Sequence, residues 1–433
     1  MLERAAPSAN PLNHSVAARR YVLGVLVVVY TFNFIDRQIL AILLPAIKAE
    51  FGVNDTILGF LAGSAFALFY ATLGVPIALL ADRWNRRNLI ALALAIWSGM
   101  TALSGIATNI VQLTLARIGV GVGEAGCSPP AHSIISDLYG PEERSTAMGI
   151  FTLGISGGIM IAYLAGGWVA DNIGWREAFL IVGLPGLILA LLVRFTIREP
   201  VRGQSDGMLD SSARPGILAV LRFLLDRKSF LHLAMGSGLA SFIGYAVISF
   251  FPTFLFRTHG MNVSEIGVWL GIILGVAGGL GFAGGGYVAD RLGRRGQRYA
   301  LWGVAGATMF AWIFHFPVFL AGNPYWSLVF FVVPAIFANF YLATTFAQIQ
   351  GLVGLRMRAV ASALLLFILN SVGLGLGPLL AGVLSDILEG PFGADAMRYS
   401  LLSIAVIIGP WSAFHYLAAG RHIEGDLARS GEA

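Results

Sequence analysis

The string Ala-Asp-Arg-x-x-Arg-Arg occurs twice in this chain, at 81–87 and at 289–295. Long apolar runs flank each copy, at 57–80 and 88–107 around the first and at 265–288 and 299–320 around the second. A short basic turn at equivalent places in two hydrophobic halves is typical of a duplicated membrane protein. We therefore predict two related helical bundles rather than one globular core.

The composition favours the same fold class. Of the 433 residues, 57% are hydrophobic and 12% are charged, whereas a soluble domain carries about 25% charged residues. Because one membrane span takes about 20 residues, the chain can form about a dozen of them. We predict an all-α membrane protein with twelve transmembrane helices in two six-helix bundles. The predicted spans are 20–45, 57–80, 88–107, 110–137, 146–170 and 177–197, then 230–256, 265–288, 299–320, 325–354, 359–386 and 397–419.

The predicted bundles occupy 20–197 and 230–420, with a linker at 198–229 and tails at 1–19 and 421–433. The linker is rich in Gly, Ser and Pro, as loops are, and 215–228 can form an amphipathic helix on the membrane surface. Of the 28 Lys and Arg residues, 22 fall in the tails, the even-numbered loops or the linker, four in odd-numbered loops and two inside spans. By the positive-inside rule, both tails and the linker are predicted to be cytoplasmic. The net charge of +5 follows from this asymmetry and does not indicate nucleic-acid binding.

The second basic turn, read from Gly286 as Gly-x-x-x-Asp-Arg-x-Gly-Arg-Arg, resembles in full the cytoplasmic signature motif of the major facilitator superfamily. The first turn resembles it less closely, with Ala78 and Asn85 where glycines are usual. Arg117-x-x-x-Gly121-x-Gly123 is similar to another motif of the superfamily. The resemblance covers all twelve spans and implies a secondary transporter whose central site opens alternately to each side of the membrane.

A narrower resemblance rests on Asn33-Phe34-Ile35-Asp36-Arg37 and Gly121-Val122-Gly123-Glu124-Ala125, extended by Gly174-Trp175-Arg176-x-Ala178-Phe179 and Gly183-x-Pro185-Gly186. This combination is similar to the spinster-like branch, whose animal members are associated with export of sphingolipids and lysolipids. We expect a bacterial type of this branch: a monomer in the inner membrane without cofactor or metal. Its expected partners are a small amphipathic or anionic substrate, protons and membrane lipid.

Four charged residues lie well inside predicted spans: Asp36 and Arg37 in the first, and Arg117 and Glu124 in the fourth. A charge at mid-bilayer costs about 2.5–3.5 kcal/mol on insertion scales, so such residues face a cavity or a partner. Asp36 and Arg117 are predicted at similar depth, and Glu124 follows seven residues later on the face that carries Arg117. We predict that the Asp36 carboxylate lies in salt-bridge or water-bridged reach of Arg117, and that Asp36 and Glu124 carry a coupled proton. Arg37, adjacent to Asp36, is expected to point elsewhere, outward along the span. The alternative is a structural ion pair that locks the first span to the fourth.

The second half carries no deep charge, but its candidate cavity spans carry hydroxyl, amide and aromatic side chains. A cavity that is charged on one side and apolar with hydroxyls on the other suits an amphiphile with a charged head. The alternative is that the aromatic residues only pack between spans. The predicted proton and substrate residues together are Asn33, Asp36, Arg37, Arg117, Glu124, Tyr245, Phe250, Asn339, Tyr341, Thr345 and Gln348.

The basic turns indicate a cytoplasmic gate. Their aspartates can cap neighbouring helices or pair with arginines across the cytoplasmic face, which would stabilise an outward-open state. The alternative is that the arginines only fix the topology. Charged residues near the end of the fourth span, and one acid at the end of the eleventh, are candidates for the same gate. The predicted gate residues are Asp82, Arg83, Arg86, Arg87, Asp137, Glu143, Arg144, Asp290, Arg291, Arg294, Arg295 and Asp386.

The favoured function is proton-coupled export of a lipid-like or amphipathic organic anion. The alternative is proton-coupled import of a small organic acid such as a hexuronate. A membrane enzyme or receptor is disfavoured because the sequence has no nucleophile motif and no paired metal signature. The glycine strings are not phosphate-binding loops, since no strand precedes them and no nucleotide-loop lysine follows.

Overall fold

The computed structural model describes residues 15–201, 216–354 and 357–430. Within these ranges the chain is almost entirely helical and has no strand. Twelve long helical segments follow one another, as predicted. In the first half they are α1 Val16–Phe51, α2 55–83, α3 Arg86–Gly105, α4 110–138, α5 Pro141–Asn172 and α6 Trp175–Thr196. In the second half they are α7 Lys228–His259, α8 263–293, α9 Gln297–Leu320, α10 324–351, α11 358–392 and α12 Ala396–Ser430.

Five of these segments are interrupted. α2, α8 and α11 each contain a π-helical turn, at Phe60–Ser64, Ile273–Ala277 and Leu369–Leu376. α4 is broken at 125–127, just before two prolines in the first turn of its second piece, Ser128–Leu138. α10 is broken at 338–339, between Pro324–Phe337 and Phe340–Gly351. π-Helical turns occur frequently at functional sites, and here they lie in helices that join the two halves.

The helices have the length and composition of membrane spans. Ten stretches of the described residues are long and apolar enough to cross a membrane. One of these, Val360–Arg429, contains both α11 and α12, and the broken α4 supplies the twelfth segment. The ends differ from prediction by several residues, because caps and not hydropathy set them. α1 begins at the Ser15 cap and runs past Pro45 to Gly52, which takes a left-handed φ of 61°.

The linker contains a short helix, Ile217–Leu225, inside the predicted 215–228. Val220 and Leu224 are buried against the second half, whereas Ile217, Leu218 and Leu225 are exposed. The predicted tail residues 1–14 and 431–433 and the linker residues 202–215 lie outside the described part of the chain.

The two halves repeat one packing pattern. In the first half α1 packs on α5, and α3 packs on α4 and α6; in the second half α7 packs on α11, and α9 packs on α10 and α12. Between the halves, α5 lies against α8, α2 against α11 and α1 against α7. The connections α2–α3, α4–α5 and α8–α9 share one end of the molecule with the basic turns, and we call this the basic end. The connections α1–α2, α5–α6, α7–α8 and α11–α12 form the opposite end.

At the opposite end the halves touch backbone to backbone. A Cβ added to Gly267 of α8 would lie 2.3 Å from the carbonyl oxygen of Tyr163 of α5. A Cβ on Gly382 of α11 would lie 2.1 Å from the carbonyl oxygen of Asp55 of α2. Because no side chain fits in these gaps, glycine is what allows this end to close.

Candidate functional site

A buried ion pair joins α1 to α4 in the middle of the first half. The Arg37 guanidinium donates to the Glu124 carboxylate from Nη2 at 2.7 Å and from Nε at 3.2 Å. The two side chains are 6% and 0% exposed. Two charges taken out of water are tolerated only with such close geometry. The structure therefore brings together two of the four predicted deep charges.

Arg117 forms no direct salt bridge with the Asp36 carboxylate, so that part of the prediction was wrong. Its guanidinium instead donates to the backbone carbonyl oxygens of Asp36 at 2.9 Å and Arg37 at 3.0 Å. Successive residues of a helix point about 100° apart. The side chain of α1 that faces α4 at this level is Arg37, and Asp36 faces α3. Arg117 thus ties α4 to the backbone of α1 and not to its acid.

Arg37 is held inward by aromatic rings and does not extend outward along the span as expected. Its guanidinium carbon lies 5.0 Å from the ring centres of Phe34 and Phe66 and 4.8 Å from that of Tyr70. Rings at this distance attract a cation through their π faces. Arg117 lies over the same Phe66 ring at 5.0 Å. Phe66 therefore contacts both cations in the apolar interior.

Asp36 is fully buried. Among the described residues, neither of its carboxylate oxygens has a hydrogen-bond partner. Its neighbours on α3 are Thr101 and Trp97. Asn33, one turn earlier on α1, is also buried with both amide atoms unpaired, and it lies beside Glu124. Such unsatisfied buried groups are rare in folded proteins and mark a site that needs an explanation.

A small cavity of about 10 Å³, enough for about one water molecule, lies between the halves next to this ion pair. The first half contributes the Arg37 and Gln38 side chains, with Leu40, Ala41 and Ala62 around them. The second half contributes Tyr245 and Ser249 of α7 and Leu374 of α11. Ala62 and Leu374 belong to the π-helical turns of α2 and α11. Charge on one wall thus faces hydroxyl groups and apolar surface on the other.

Of the predicted residues of the second half, the structure places Tyr245 at the cavity and beside Arg37. Tyr341 is buried, and Asn339 is half-buried at the break in α10. The other three are engaged within the second half. Phe250 is fully buried in the apolar core, the Thr345 hydroxyl contacts the Tyr416 hydroxyl at 2.7 Å, and Gln348 donates to Gln297 at 2.6 Å.

The first basic turn is built into a buried network. Arg86 is 1% exposed, and its guanidinium donates to the carboxylates of Asp137 and Glu199, the latter at 3.0 Å. It also donates to the Ser133 hydroxyl at 2.8 Å and to the carbonyl of Pro200 at 2.9 Å. Glu199 in addition accepts the backbone N–H of Arg86 at 3.0 Å, and so caps α3. This network fastens α3, α4 and the start of the linker at the basic end.

The neighbouring predicted gate residues also bond within the first half. Arg87 donates to the Ile197 carbonyl at 3.3 Å, and Arg144 donates to the Ser136 carbonyl at 3.0 Å. Glu143 pairs with Arg19 at 2.9 Å. Arg83 is exposed, and the Asp82 side chain lies outside the described part of the structure.

The second basic turn is open to solvent. Asp290, Arg291, Arg294 and Arg295 are all exposed. In the described ranges none of these four side chains makes an ion pair. The two copies of one sequence motif therefore have different environments, one buried and one exposed.

Asp386 does not lie with these basic turns, so its assignment to that gate was wrong. α11 runs from the basic end to the opposite end, which places its last turns far from the turns at 84–87 and 294–296. There the Asp386 carboxylate accepts the backbone N–H groups of Asp55 and Thr56 at 2.8 Å each, and the Thr56 hydroxyl at 2.5 Å. An acid of the second half thus caps a helix of the first half.

Asp55 forms the centre of this contact between the halves. Its side chain is 3% exposed, and the Arg257 guanidinium of α7 donates two hydrogen bonds to it, of 2.6 and 2.7 Å. Lys48 donates to the same carboxylate at 2.8 Å, and the Ser385 hydroxyl at 2.7 Å. Close by, Ser264 of α8 donates its N–H to Asp171 of α5 at 2.6 Å. The halves are therefore sealed together by charges at the opposite end.

Sequence reasoning missed several residues of this arrangement. Asp55 follows Asn54 at a helix start, where an acid is an ordinary capping residue, and nothing in the sequence pairs it with Arg257. Trp97, Thr101 and Gln38 lie in apolar spans with the composition of packing residues. Only their position beside Asp36 and Arg37 distinguishes them.

Comparisons with known proteins agree with this fold. The chain matches the family model described as Major Facilitator Superfamily over residues 26–378. It is 34% identical over 403 residues, 92% of either chain, to an MFS-type efflux pump of Mycolicibacterium smegmatis. It is also 26% identical over 268 residues to a hexuronate transporter of Bacillus subtilis, 61% of this chain and 63% of that protein.

Among solved structures, the chain is similar to a bacterial homolog of the human lysosomal transporter spinster, solved in an inward-facing and unoccupied conformation. The identity is 32%, the TM-score is 0.87, and the alignment covers 95% of this chain and 99% of that one. The sequence motifs, the twelve helices and these relatives lead to one conclusion. The chain belongs to the Major Facilitator Superfamily, in which it resembles the spinster-like branch, and it is an integral membrane transporter rather than an enzyme.

Proposed function

We propose that this transporter is proton-coupled and exports a lipid-like or amphipathic organic anion by alternating access. The observation that carries the proposal is the cavity between the halves, where Arg37 on one wall faces Tyr245 and Ser249 on the other. A guanidinium binds carboxylate and phosphate groups strongly. The apolar residues around the cavity, Leu40, Ala41 and Leu374, suit the chain of an amphiphile.

The position of the seal supports alternating access. The positive-inside rule puts the basic end, with both described termini, in the cytoplasm. The halves are held together at the opposite end through Asp55, Arg257 and Asp386, which supports an inward-facing state. The similar bacterial protein was likewise solved in an inward-facing conformation. Transport requires that this seal opens while the basic end closes.

Proton coupling is supported by the two buried carboxylates. Glu124 is neutralised by Arg37, while Asp36 has no partner among the described residues. A buried acid without a partner is costly when ionised. Its proton affinity therefore depends on hydration, which changes as the site opens to one side or the other. We assign the coupled proton to Asp36 and Glu124 together.

Export is supported by the similarity to an efflux pump along nearly the whole chain. A second candidate, import of a small organic acid, is supported by the hexuronate transporter among the relatives and by the small volume of the cavity. In that case the Arg37 guanidinium binds a substrate carboxylate, and no apolar tail has to be accommodated.

Reconstitution into liposomes tests both candidates. The purified chain is reconstituted with an entrapped pH-sensitive dye, and a lysolipid, a sphingoid base or a hexuronate is added on one side. We expect proton flux that depends on the lysolipid or another amphiphile, and no response in liposomes without protein. Flux with the hexuronate alone would overturn the lipid proposal in favour of the second candidate. Substrate movement without proton flux would overturn proton coupling.

A further inference from the structure

Unpaired polar atoms gather at one place between α1 and α3. They are both carboxylate oxygens of Asp36, the indole Nε1 of Trp97 and the hydroxyl of Thr101, all in residues no more than 1% exposed. Trp97 and Thr101 are four residues apart, so they lie on the same face of α3. Both side chains interact with the Asp36 carboxylate, but none of these four atoms has a partner in the geometry of a full hydrogen bond among the described residues.

This arrangement is too costly to persist without a partner. A buried donor or acceptor left unsatisfied costs about 1–3 kcal/mol, and a charged group costs more. The surrounding charges do not remove the cost. Arg37 is directed at Glu124, and Arg117 at the backbone of α1. Polar groups that face each other without a full direct hydrogen bond are commonly bridged by a water molecule.

The chemistry of the three groups defines the bridging molecule. Ionised Asp36 only accepts hydrogen bonds, the Trp97 indole only donates, and the Thr101 hydroxyl does both. A metal cation is disfavoured by the Trp97 N–H and by the nearby Arg117, and an anion is disfavoured by Asp36. Water satisfies donors and acceptors together and needs two to four polar partners.

We propose that an ordered water molecule binds between Asp36, Trp97 and Thr101 and is the partner of the Asp36 carboxylate in the inward-facing state. Trp97 and Thr101 are then positioning residues that hold this water. The water is also the first molecule to exchange a proton with Asp36. That last role rests on the proposed proton coupling, whereas the water site itself does not.

The direct test is a structure of the full chain in lipid nanodiscs at a resolution that shows water. We expect density within hydrogen-bond distance of Asp36 and Thr101 in the wild type. Thr101→Val keeps the shape of the side chain but removes its hydroxyl, and it should displace or weaken that density. Thr114→Val is the matched control, because the Thr114 hydroxyl is already bonded to the Ile110 carbonyl of its own helix at 2.8 Å. A dry contact in which Thr101 bonds Asp36 directly would overturn the water site.

A second measurement follows the proton by infrared spectroscopy. The carboxyl band of Asp36 is identified by its loss in Asp36→Asn and is then titrated with pH. We expect the midpoint to move by at least about half a pH unit in Thr101→Val and in Trp97→Phe, and to stay unchanged in Thr114→Val. Unchanged midpoints in both variants would overturn the role of the water.

The two proposals fail separately. If Asp36→Asn abolishes proton flux but the site is dry, the water proposal fails and the proposed function stands. If water is present but Asp36→Asn retains full proton flux, the water site stands and the assignment of the coupled proton to Asp36 fails.

Discussion

Asp36 and Glu124 are both buried acids, but their environments differ in a way that decides what each substitution does. Glu124 is held by two hydrogen bonds from Arg37, and Asp36 by none from any described residue. Removing one partner of a buried ion pair leaves the other charge uncompensated. Asp36 makes no such bond to a described residue, so removing its charge leaves no hydrogen-bonded partner behind, and Arg117 loses only a longer-range attraction. The effect on stability therefore separates these two positions, whereas proton coupling is assigned to both.

The first prediction concerns stability. Glu124→Gln should destabilise the protein by about 3–5 kcal/mol, because Arg37 remains buried without its counter-charge. Asp36→Asn should leave stability unchanged or raise it, since it replaces an unsatisfied carboxylate by a neutral amide. Thermal unfolding in detergent, followed by tryptophan fluorescence, measures both variants side by side. Equal losses of stability would contradict the different environments described for the two acids.

The second prediction concerns the proton. Asp36→Asn and Glu124→Gln each keep the shape of the side chain and remove its titratable group. Transport driven by a pH gradient should be lost in each, while exchange of substrate without a gradient should survive, because a neutral amide resembles the protonated acid. Proteoliposome uptake across a controlled pH step is the measurement. Wild-type coupling in the double variant would show that the proton travels elsewhere.

Glycines in the facing helices allow the opposite end to close. α5 meets α8 and α2 meets α11 at glycines whose missing Cβ leaves room only for a facing carbonyl oxygen. Side chains forced into a close-packed contact cost about 1–3 kcal/mol. The glycine-rich composition of these helices is therefore tied to one conformational state, and less to the folding of either half.

The third prediction follows from these contacts. Gly267→Ala or Gly382→Ala should keep the opposite end from closing and raise the population of outward-facing molecules about tenfold or more, which corresponds to about 1.4 kcal/mol. Gly244→Ala is the control, since nothing lies within 4 Å of the Cβ it would add. Accessibility of an introduced cysteine at the opposite end measures the shift. Cys127 does not interfere, because it is fully buried. A similar shift in the Gly244 variant would contradict a specific contact.

The twelve segments, their order and the deep charges could be predicted from the sequence, because apolar length and basic loops are read directly along the chain. The partners of those charges could not. Adjacent residues of a helix point about 100° apart, and the sequence does not give the rotation of α1 about its axis, so it does not show whether Asp36 or Arg37 faces α4. The error over Asp386 is of another kind. The prediction placed the end of α11 at the basic end. Successive spans cross the membrane in alternating directions, so the sequence already indicated that α11 ends at the opposite end.

On the scale of the whole molecule, the two ends are built differently. The opposite end is held by charges that cross between the halves, with Asp55 shared by Arg257 and Lys48. At the basic end the Arg86 network lies within the first half, and the second basic turn is exposed. The exposed turn is available to bind the first half when that end closes.

The fourth prediction uses this difference. Arg257→Ala removes an ion pair between the halves and should shift the protein toward the outward-facing state. Arg398→Ala is the control, because Arg398 pairs with Asp395 within the second half at 3.4 Å. Asp290→Asn, at the other end, should shift the protein toward the inward-facing state if the second turn closes that end. Distances between paired spin labels across each end measure the populations. Unchanged distances in Arg257→Ala would remove the seal from the mechanism.

The cap that Asp386 places on α2 makes the first turn of that helix depend on the state of the whole transporter. While the halves are together, the amide protons of Asp55 and Thr56 are bonded to a carboxylate of the other half. When the halves part, only Asn54, bonded to the amide of Ile57 at 3.0 Å, still caps the helix from its own side. Hydrogen exchange at residues 55 and 56 should then speed up as the opposite end spends more time open. Mass spectrometry of these two amides therefore follows the transport cycle without a probe attached to the protein.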